Sequence, residues 1–350
     1  MENPYKLKQL LAPTANLALT GFGKLTSRRH DLEKLILLCG VPRGGTTWLF
    51  EVLLNTVPGT CGLWEPLDLR GTPLLNRLNF SWRQHIDTDT RWPQAEDFFG
   101  HLFNGTNLNV SLIHPYGFFE FLKENVLSDR YLIKFCRANR LLMWMIRRFE
   151  IKNSILLIRH PCAVVASQLF HGGWNHVARE KEAEHPITDA DFVQRNKWIS
   201  DIIDKIRTPE EKLAITWCLD HYIPLSEKKP YPWLLVSYER LVTHGPGEMQ
   251  RIFDMIGCAP PCDLTKYLAR PSKTTMQDSN IYQHTNPLAT WKRRLSKDQQ
   301  ERILTIVSEF GLDFYTDSLE PYYGRLYTNP LKNAYQMQAP IQLPTQRTGI

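Results

Sequence analysis

Long hydrophobic runs are absent from this 350-residue sequence. No window offers the roughly 18 or more uncharged apolar residues that a membrane-spanning helix requires. Residues 1–29 contain Lys6, Lys8 and Lys24 and lack the unbroken apolar core of a signal peptide. We therefore expect a protein that neither spans a membrane nor is secreted.

Cysteine pairs of the kind that bind metals are also missing. The seven cysteines are an odd set with no CxxC pair and no histidines at zinc-finger spacing. Cys258 and Cys262 lie closest together, but the Ala259-Pro260-Pro261 segment between them favours a turn. We expect buried, reduced thiols and, with them, a cytoplasmic location.

Apolar residues, in contrast, are plentiful. They make up 43% of the chain, enough for a substantial core in one large domain or two modest ones. The net charge of +6 at pH 7 is mild for this length, so it does not favour nucleic acid as a partner. The charge is compatible with binding a polyanionic small molecule.

Short apolar runs alternate with helical patterns along the chain. The runs predict strands that are buried on both faces of a parallel sheet. They are residues 35–39, 131–135, 154–158 and 233–237, with 60–64 as a weaker fifth candidate. Helices are predicted over residues 46–55, 138–149, 163–170, 209–225, 248–256 and 296–309, the last of which opens with a possible capping box, Ser296-Lys-Asp-Gln299. This alternation predicts an α/β fold.

Two segments fit this alternation poorly. Residues 70–125 are rich in aromatic residues, and residues 171–206 begin with a His-Gly-Gly-Trp sequence. Both either cover the carboxyl edge of the sheet as an acceptor pocket or lid, or pack as ordinary helices. We predict an N-terminal extension over residues 1–30, a domain over 31–327 that includes these segments, and a C-terminal tail over 328–350.

A glycine-rich turn directly follows the first predicted strand. The sequence Gly40-Val-Pro-Arg-Gly-Gly-Thr-Thr-Trp48 leads into an amphipathic helix, so it presents backbone N–H groups and a helix N-terminus to an anion. Gly40 and Gly45 have the spacing of a GxxxxGK[ST] loop, but Thr46 replaces the lysine and Arg43 supplies a charge instead. This difference disfavours an ordinary ATPase or kinase.

Residues 42–48 resemble the 5′-phosphosulfate-binding loop of sulfotransferases, PxSGTTxL, with Gly44 in place of the usual serine. Arg159 ends a predicted strand and Ser167 lies two turns into the next helix, which is similar to the RxPxxxxxS pattern that holds the 3′-phosphate of the donor. Residues 236–241 resemble the family's YExL segment, and residues 291–295 resemble its late W-x-x-x-L segment. The resemblance covers residues 35–314.

This resemblance implies a P-loop-type fold of three layers, with a central, mostly parallel sheet flanked by helices. It also implies transfer of a sulfuryl group from 3′-phosphoadenosine-5′-phosphosulfate (PAPS) to a hydroxyl or amine, with adenosine 3′,5′-bisphosphate (PAP) as the other product. The residues implied in donor binding are Arg43, Gly44, Gly45, Thr46, Thr47, Trp48, Arg159, Ser167, Tyr238, Lys292, Arg293 and Arg294. The acceptor is expected to be a small molecule or glycan, and carbohydrates, lipids and secondary metabolites all remain open.

The resemblance also implies catalytic roles. Arg43 is expected to stabilise the transferring group. Residues 63–67, Leu-Trp-Glu-Pro-Leu, resemble the FEPL-type segment of the carbohydrate branch, so Glu65 is the candidate general base. No metal is expected, because a sulfuryl group carries less charge than a phosphoryl group and no HExxH or DxD segment is interpreted as a metal site.

Other residues are candidates for supporting or alternative roles. In the small-molecule branch a histidine follows a Lys-Thr pair, but here the segment reads Lys134-Phe-Cys136. His114 is the reserve base, and His171 and His176 are weaker candidates. Lys134 and Arg137 are candidates for orienting the acceptor or the sulfuryl group.

Two further readings stay open from the sequence. The first is a P-loop kinase or NTPase whose loop has diverged. The second is a protein that binds a nucleotide without catalysis.

Overall fold

Five parallel strands form the centre of the protein. The computed structural model describes residues 4–27, 30–113, 117–171, 190–273 and 286–328. The strands are β1 (Ile36–Cys39), β2 (Thr60–Trp64), β3 (Arg130–Phe135), β4 (Asn153–Ile158) and β5 (Leu234–Ser237). Their order in the sheet is β2-β3-β1-β4-β5, and neighbouring strands pair in parallel. All five predicted strands are confirmed, including the weaker candidate β2.

Helices surround this sheet. In chain order they are α1 (Pro4–Thr26), α2 (Thr46–Thr56), α3 (Pro73–Arg77), α4 (Pro93–Phe103), α5 (Phe118–Leu127), α6 (Leu142–Phe149), α7 (Pro161–His171), α8 (Ala190–Arg195), α9 (Lys197–Ile203), α10 (Pro209–Leu225), α11 (Tyr238–Thr243), α12 (Gly245–Ile256), α13 (Leu264–Leu268), α14 (Thr290–Arg294), α15 (Lys297–Glu309) and α16 (Tyr323–Thr328). Short 3-10 turns lie at Leu32–Lys34, Asn139–Leu141 and Pro287–Ala289.

Two apolar cores give the fold its three layers. Successive side chains of a strand point to opposite faces. Ile36 and Leu38 pack in one core, to which α2, α11, α12 and α13 contribute. Leu37 and Cys39 pack in the other, with residues of α4, α6, α7, α10 and α15. The expected α/β fold with helices on both faces of a parallel sheet is therefore confirmed.

Local sequence signals placed most helix ends within a few residues. The predicted helix over 209–225 has the observed bounds of α10, and α15 begins with the predicted capping box. The prediction over 138–149 was wrong at its start, because Asn139–Leu141 forms a 3-10 turn and α6 begins only at Leu142. Helices α7 and α12 begin two and three residues before their predicted starts.

The segment predicted as an N-terminal extension contains the long helix α1, which packs on the rest of the chain. Leu19 is fully buried, and the Thr20 hydroxyl donates to the carbonyl of Leu108 at 3.4 Å. Gly23 passes so close to the carbonyl of Gly105 that an added Cβ would lie 2.2 Å from its oxygen. The described part of this segment therefore packs closely against residues 105–108.

Several phenylalanines of the aromatic segment 70–125 are part of the core. Phe98, Phe99, Phe103 and Phe121 are buried in the core that holds α4 and α6. In the other unusual segment, residues 172–189 lie outside the described residues. Within the described ranges, no helix combines the length and apolar character needed to cross a membrane.

All seven cysteines are free thiols. Five of them are buried, as expected, whereas Cys258 is half-buried and Cys262 is exposed. The expectation of buried thiols was wrong for these two because they lie in the connection between α12 and α13.

The capping box of α15 provides a test of local stability. The Ser296 hydroxyl accepts from the Gln299 amide at 3.2 Å, and the Gln299 side chain accepts from the Ser296 amide at 3.0 Å. We expect Ser296→Ala to lower the free energy of unfolding by about 1 kcal/mol, because a helix-end N–H loses its acceptor. Denaturant unfolding measures this change, with Ser308→Ala on the exposed side of α15 as control. Equal stability of the two variants would contradict the prediction.

Candidate active site

A cavity of about 720 Å³ lies at the carboxyl edge of the sheet. Each strand, or the segment that follows it, contributes to its wall, with Arg43 after β1, Glu65 after β2, Lys134 in β3, Arg159 after β4 and Tyr238 after β5. After β3 the chain crosses from one side of β1 to the other, and such a switch point is where open α/β sheets bind ligands.

The glycine-rich loop has backbone conformations that few residues adopt. Gly45 has φ 96°, and an added Cβ would lie 2.4 Å from the ring of Tyr238, so a larger residue is excluded. Arg43 has φ 67°, which is unusual for a residue with a side chain. The first N–H groups of α2 have no acceptor within the helix, and Thr46, Thr47 and Trp48 line the cavity beside them. The loop therefore has a geometry that suits an anion.

Arg43 connects this loop to β4 and α7. Its Nε donates to the Ser167 hydroxyl at 3.0 Å, and its carbonyl oxygen accepts from Arg159 at 3.1 Å. The buried side chain of Gln168 donates to the carbonyl of Pro42 at 3.0 Å. Arg159 and Ser167, which the sequence placed eight residues apart, therefore converge on the same loop.

Three arginines line the cavity without a carboxylate partner. Arg159 lies 4.2 Å over the ring of Tyr238, and Arg294 lies 4.9 Å over the ring of Phe170. Within the described part of the chain, neither of them nor Arg43 forms an ion pair, and the buried Nε of Arg159 has no hydrogen-bond partner. Burial, followed by the charges of Arg159 and Arg294, lowers the pKa of Arg43 below its ordinary value. This cluster suits a ligand with several negative charges.

A buried carboxylate behind this cluster joins the ends of β4 and β5. Glu239 accepts from the His160 amide at 2.8 Å, the Ser237 hydroxyl at 2.8 Å and the Tyr315 hydroxyl at 2.9 Å. Burial raises its pKa above the usual range. Since Arg159 precedes His160 and Tyr238 precedes Glu239, these bonds hold the arginine and the ring that it covers.

His160 extends the same network as a neutral side chain. Its ring stacks on Trp291 at 4.5 Å, and its Nε2 lies 2.8 Å from the carbonyl of Thr316. Its Nδ1 accepts from the Cys162 amide at 3.2 Å. Burial lowers its pKa to about 4, so it is neutral at pH 7. His160 therefore packs α14 against the end of β4.

Glu65 lies in the same cavity and is tightly held. Its backbone has φ 45°. Its carboxylate lies 2.8 Å from the Lys134 ammonium and 3.6 Å from Arg137, and it accepts from the Cys136 amide at 3.0 Å. Burial favours the neutral acid, but the charges of Lys134 and Arg137 and the hydrogen bonds outweigh it and hold the pKa of Glu65 below its usual range. Glu65 is therefore ionised at neutral pH.

Lys134 links this carboxylate to the glycine-rich loop. Its side chain is only 2% exposed, its Nζ donates to the Thr47 hydroxyl at 3.3 Å, and it lies 3.3 Å from the centroid of the Trp64 ring. The Thr46 hydroxyl lies 3.2 Å from the Cys136 sulfur. Glu65, Lys134 and the start of α2 thus form one continuous polar wall.

The other candidates occupy different positions. Gly44 donates its amide to the carbonyl of Val41 at 2.9 Å and is not among the residues that line the cavity. Lys292 and Arg293 are exposed and also do not line it, in contrast to Arg294. His171 lines the cavity at the end of α7, and burial together with Arg43 lowers its pKa. His114 and His176 lie outside the described residues.

Some lining residues were not found from the sequence. The carbonyl of Arg270 accepts from the Trp48 indole at 3.1 Å, so the segment after α13 lies against the start of α2. Asp68 and Arg70 pair with each other at the same wall, with a shortest separation of 2.6 Å. Neither Arg270 nor the Asp68–Arg70 pair belongs to a recognisable motif. Asp68 and Arg70 do lie within five residues of Glu65, and this closeness in sequence could have indicated them.

The fold and this cavity define an α/β protein with a positively charged cavity at the start of α2. A family model described as the sulfotransferase domain matches residues 33–309, which is most of the chain. The chain therefore belongs to the sulfotransferase family.

Solved structures with a similar fold include three sulfotransferases. The mouse sulfotransferase SULT7A1 in complex with PAP shares 13% identity, covering 85% of this chain and 90% of that one, with a TM-score of 0.40. The sulfotransferase domain of the Synechococcus PCC 7002 olefin synthase shares 18% identity over 79% and 94%, with a TM-score of 0.41. The sulfotransferase domain from the curacin biosynthetic pathway shares 17% over 78% and 97%, with a TM-score of 0.41. No curated protein sequence matches the chain significantly.

The Glu239 network predicts a large loss of stability when it is removed. In Glu239→Ala, the buried hydroxyls of Ser237 and Tyr315 and the His160 amide lose their acceptor. We expect the free energy of unfolding to fall by about 2–3 kcal/mol, because unsatisfied buried donors are costly. Denaturant unfolding tests this, with Glu301→Ala on the exposed surface of α15 as control. If Glu239→Ala is as stable as the control, the network is not structural.

Proposed function

We propose that this sulfotransferase takes its sulfuryl group from PAPS and transfers it to a hydroxyl or amine of a small-molecule or glycan acceptor, releasing PAP. The observation that supports this best is a trio of cavity arginines, none of which has a carboxylate partner among the described residues: Arg43, Arg159 and Arg294. PAPS carries negative charge at two separate points, the 5′-phosphosulfate and the 3′-phosphate. A cavity of about 720 Å³ is also within the range of about 300–1,000 Å³ that is usual for small-molecule sites.

The two charged ends of the donor have matching positions in this proposal. The 5′-phosphosulfate lies against the N–H groups at the start of α2, where Thr46 and Thr47 line the wall. The 3′-phosphate is held by Arg159 and Ser167. The buried Nε of Arg159, which has no partner among the described residues, supports a ligand at this point.

The proposed chemistry is an in-line transfer. Glu65 removes the proton of the acceptor hydroxyl as the acceptor oxygen forms a bond to sulfur. The bond between sulfur and the bridging oxygen breaks, and its electron pair stays with the 5′-phosphate of PAP. Arg43 and Lys134 stabilise the oxygens that gain charge, and the rigid cavity wall keeps these groups in place.

Glu65 has a geometry that suits a base but a pKa that needs an explanation. The low pKa keeps the carboxylate ionised and ready to accept a proton at neutral pH. Its ion pair with Lys134 at 2.8 Å weakens it as a base. In the proposal, bond formation to sulfur makes the acceptor hydroxyl acidic, which compensates for the weak base.

The donor site predicts different effects for two adjacent arginines. We expect Arg294→Ala to weaken PAP binding roughly 10- to 100-fold, because a charged hydrogen-bond donor is lost. Arg293→Ala, at an exposed position that does not line the cavity, serves as the matched control and should leave the affinity unchanged. Calorimetric titration with PAP measures both dissociation constants.

Transfer assays and PAP titration also distinguish the proposed function from an NTPase. We expect Arg43→Ala and Arg159→Ala to abolish sulfuryl transfer, and PAP to bind in the presence of EDTA. Equal dissociation constants of PAP for Arg293→Ala and Arg294→Ala would contradict the proposed donor site. Binding of Mg-ATP in preference to PAP would instead favour an NTPase.

The role of Glu65 is tested by Glu65→Gln. We expect kcat to fall roughly 10²- to 10⁴-fold while the dissociation constant for PAP is unchanged, because the amide cannot accept the proton. Since the pKa of Glu65 is lowered, the wild-type rate should show no loss from this group between pH 8 and its ordinary pKa of 4.5. Asp68→Asn is the control at the same wall. A fully active Glu65→Gln variant would transfer the role to another residue, such as His114.

A further inference from the structure

Arg137 differs from Lys134, the other cation beside Glu65, because its ion pairs are long. It lines the cavity, and its side chain is 17% exposed. Its ion pairs with Glu65 and Asp68 span 3.6 and 4.0 Å, too long for hydrogen bonds. Among the described residues, its guanidinium donates no hydrogen bond to another residue.

The neighbouring carboxylates are already occupied by closer groups. Glu65 has the Lys134 ammonium at 2.8 Å and the Cys136 amide at 3.0 Å. Asp68 accepts from two nitrogens of Arg70, at 2.9 and 2.6 Å. Arg137 is therefore the second and more distant cation of each carboxylate. Among the described residues, its hydrogen-bond donors remain available to a ligand in the cavity.

An aromatic ring fixes the position of this guanidinium. The Arg137 Cζ lies 4.7 Å from the centroid of the Trp82 ring, and the Arg70 Cζ lies 5.4 Å from it. A stacked guanidinium keeps its N–H groups free to bind an oxyanion at its edge. The ring therefore orders Arg137 without using its donors.

The structure behind Arg137 is also positively charged. Buried Arg83 and Arg140 both pair with one carboxylate, that of Asp220, with the Arg140 Nε at 2.8 Å. Burial, followed by the charges of Arg140 and Arg137, lowers the pKa of Arg83 well below its ordinary value. Arg137 therefore lies close to other positive charges, which favours an anion beside it.

We propose that the acceptor of this enzyme carries an oxyanion, such as a carboxylate, near its reacting hydroxyl, and that Arg137 binds this group. The inference rests on the proposed function, in which Glu65 accepts the proton of that hydroxyl. Arg137 lies 3.6 Å from Glu65, so a group bound to it sits beside the reacting atoms. A planar guanidinium binds a carboxylate through two parallel hydrogen bonds, which adds orientation to affinity.

Matched acceptor pairs test this inference. The probes are 4-nitrophenyl glucuronide against 4-nitrophenyl glucoside, and 2-hydroxyphenylacetate against 2-(2-hydroxyphenyl)ethanol, each with PAPS. We expect wild-type kcat/KM to favour the carboxylate member of a pair by about 10-fold or more, the value of a charged hydrogen bond. Arg137→Gln should remove this preference and leave the neutral members unchanged. Arg147→Gln, at an exposed position on α6, is the control.

The outcomes separate this inference from the proposal on which it rests. PAP titration of each variant shows whether the donor site is intact and the chain folded. If wild-type protein does not bind PAP, the proposed function fails and the acceptor inference fails with it. If PAP binds, the inference is overturned by sulfation of the neutral members alone, by sulfation of no probe, or by a preference that survives in Arg137→Gln. An equal loss for charged and neutral members also overturns it, because Arg137 would then act through Glu65.

Discussion

The structure depends on a concentration of positive charge that the protein does not neutralise. Arg43, Arg159 and Arg294 line one cavity, and within the described ranges none of them pairs with a carboxylate. Burial, followed by the positive charges of Arg159 and Arg294, lowers the pKa of Arg43 below its ordinary value. The surrounding strands and helices hold the three cations together, and we propose that a polyanionic ligand neutralises them.

Two features that lie far apart in the sequence keep these arginines in place. Gly45 brings the loop against Tyr238, where a Cβ would not fit. Glu239 joins the ends of β4 and β5 and so holds Arg159 over the same ring. Fixing the cations before the ligand arrives means that little reorganisation is needed during transfer.

The opposite arrangement is found at Glu65, where charges are paired. The Glu65 carboxylate, Lys134 and Thr47 form a chain of contacts that runs from the proposed base to the start of α2. Arg137 stands at the end of this chain and, among the described residues, pairs with carboxylates only at 3.6 and 4.0 Å, which is why we propose that it binds the acceptor.

Local patterns in the sequence predicted the strands, the loop and the Arg159–Ser167 spacing, because each depends on residues that are close in the chain. They did not separate Arg294 from Lys292 and Arg293, since only the packing of α14 decides which of three adjacent cations lines the cavity. Nor did they show the network of Glu239, whose partners are contributed by segments far apart in sequence.

The most direct test of the account is a crystal structure of the protein with PAP. We predict the 5′-phosphate of PAP on the N–H groups at the start of α2 and its 3′-phosphate within hydrogen-bond distance of Arg159 and Ser167, with Arg294 close to one of the two phosphates. PAP bound outside this cavity, or with its phosphates in contact with none of the three arginines, would contradict the account.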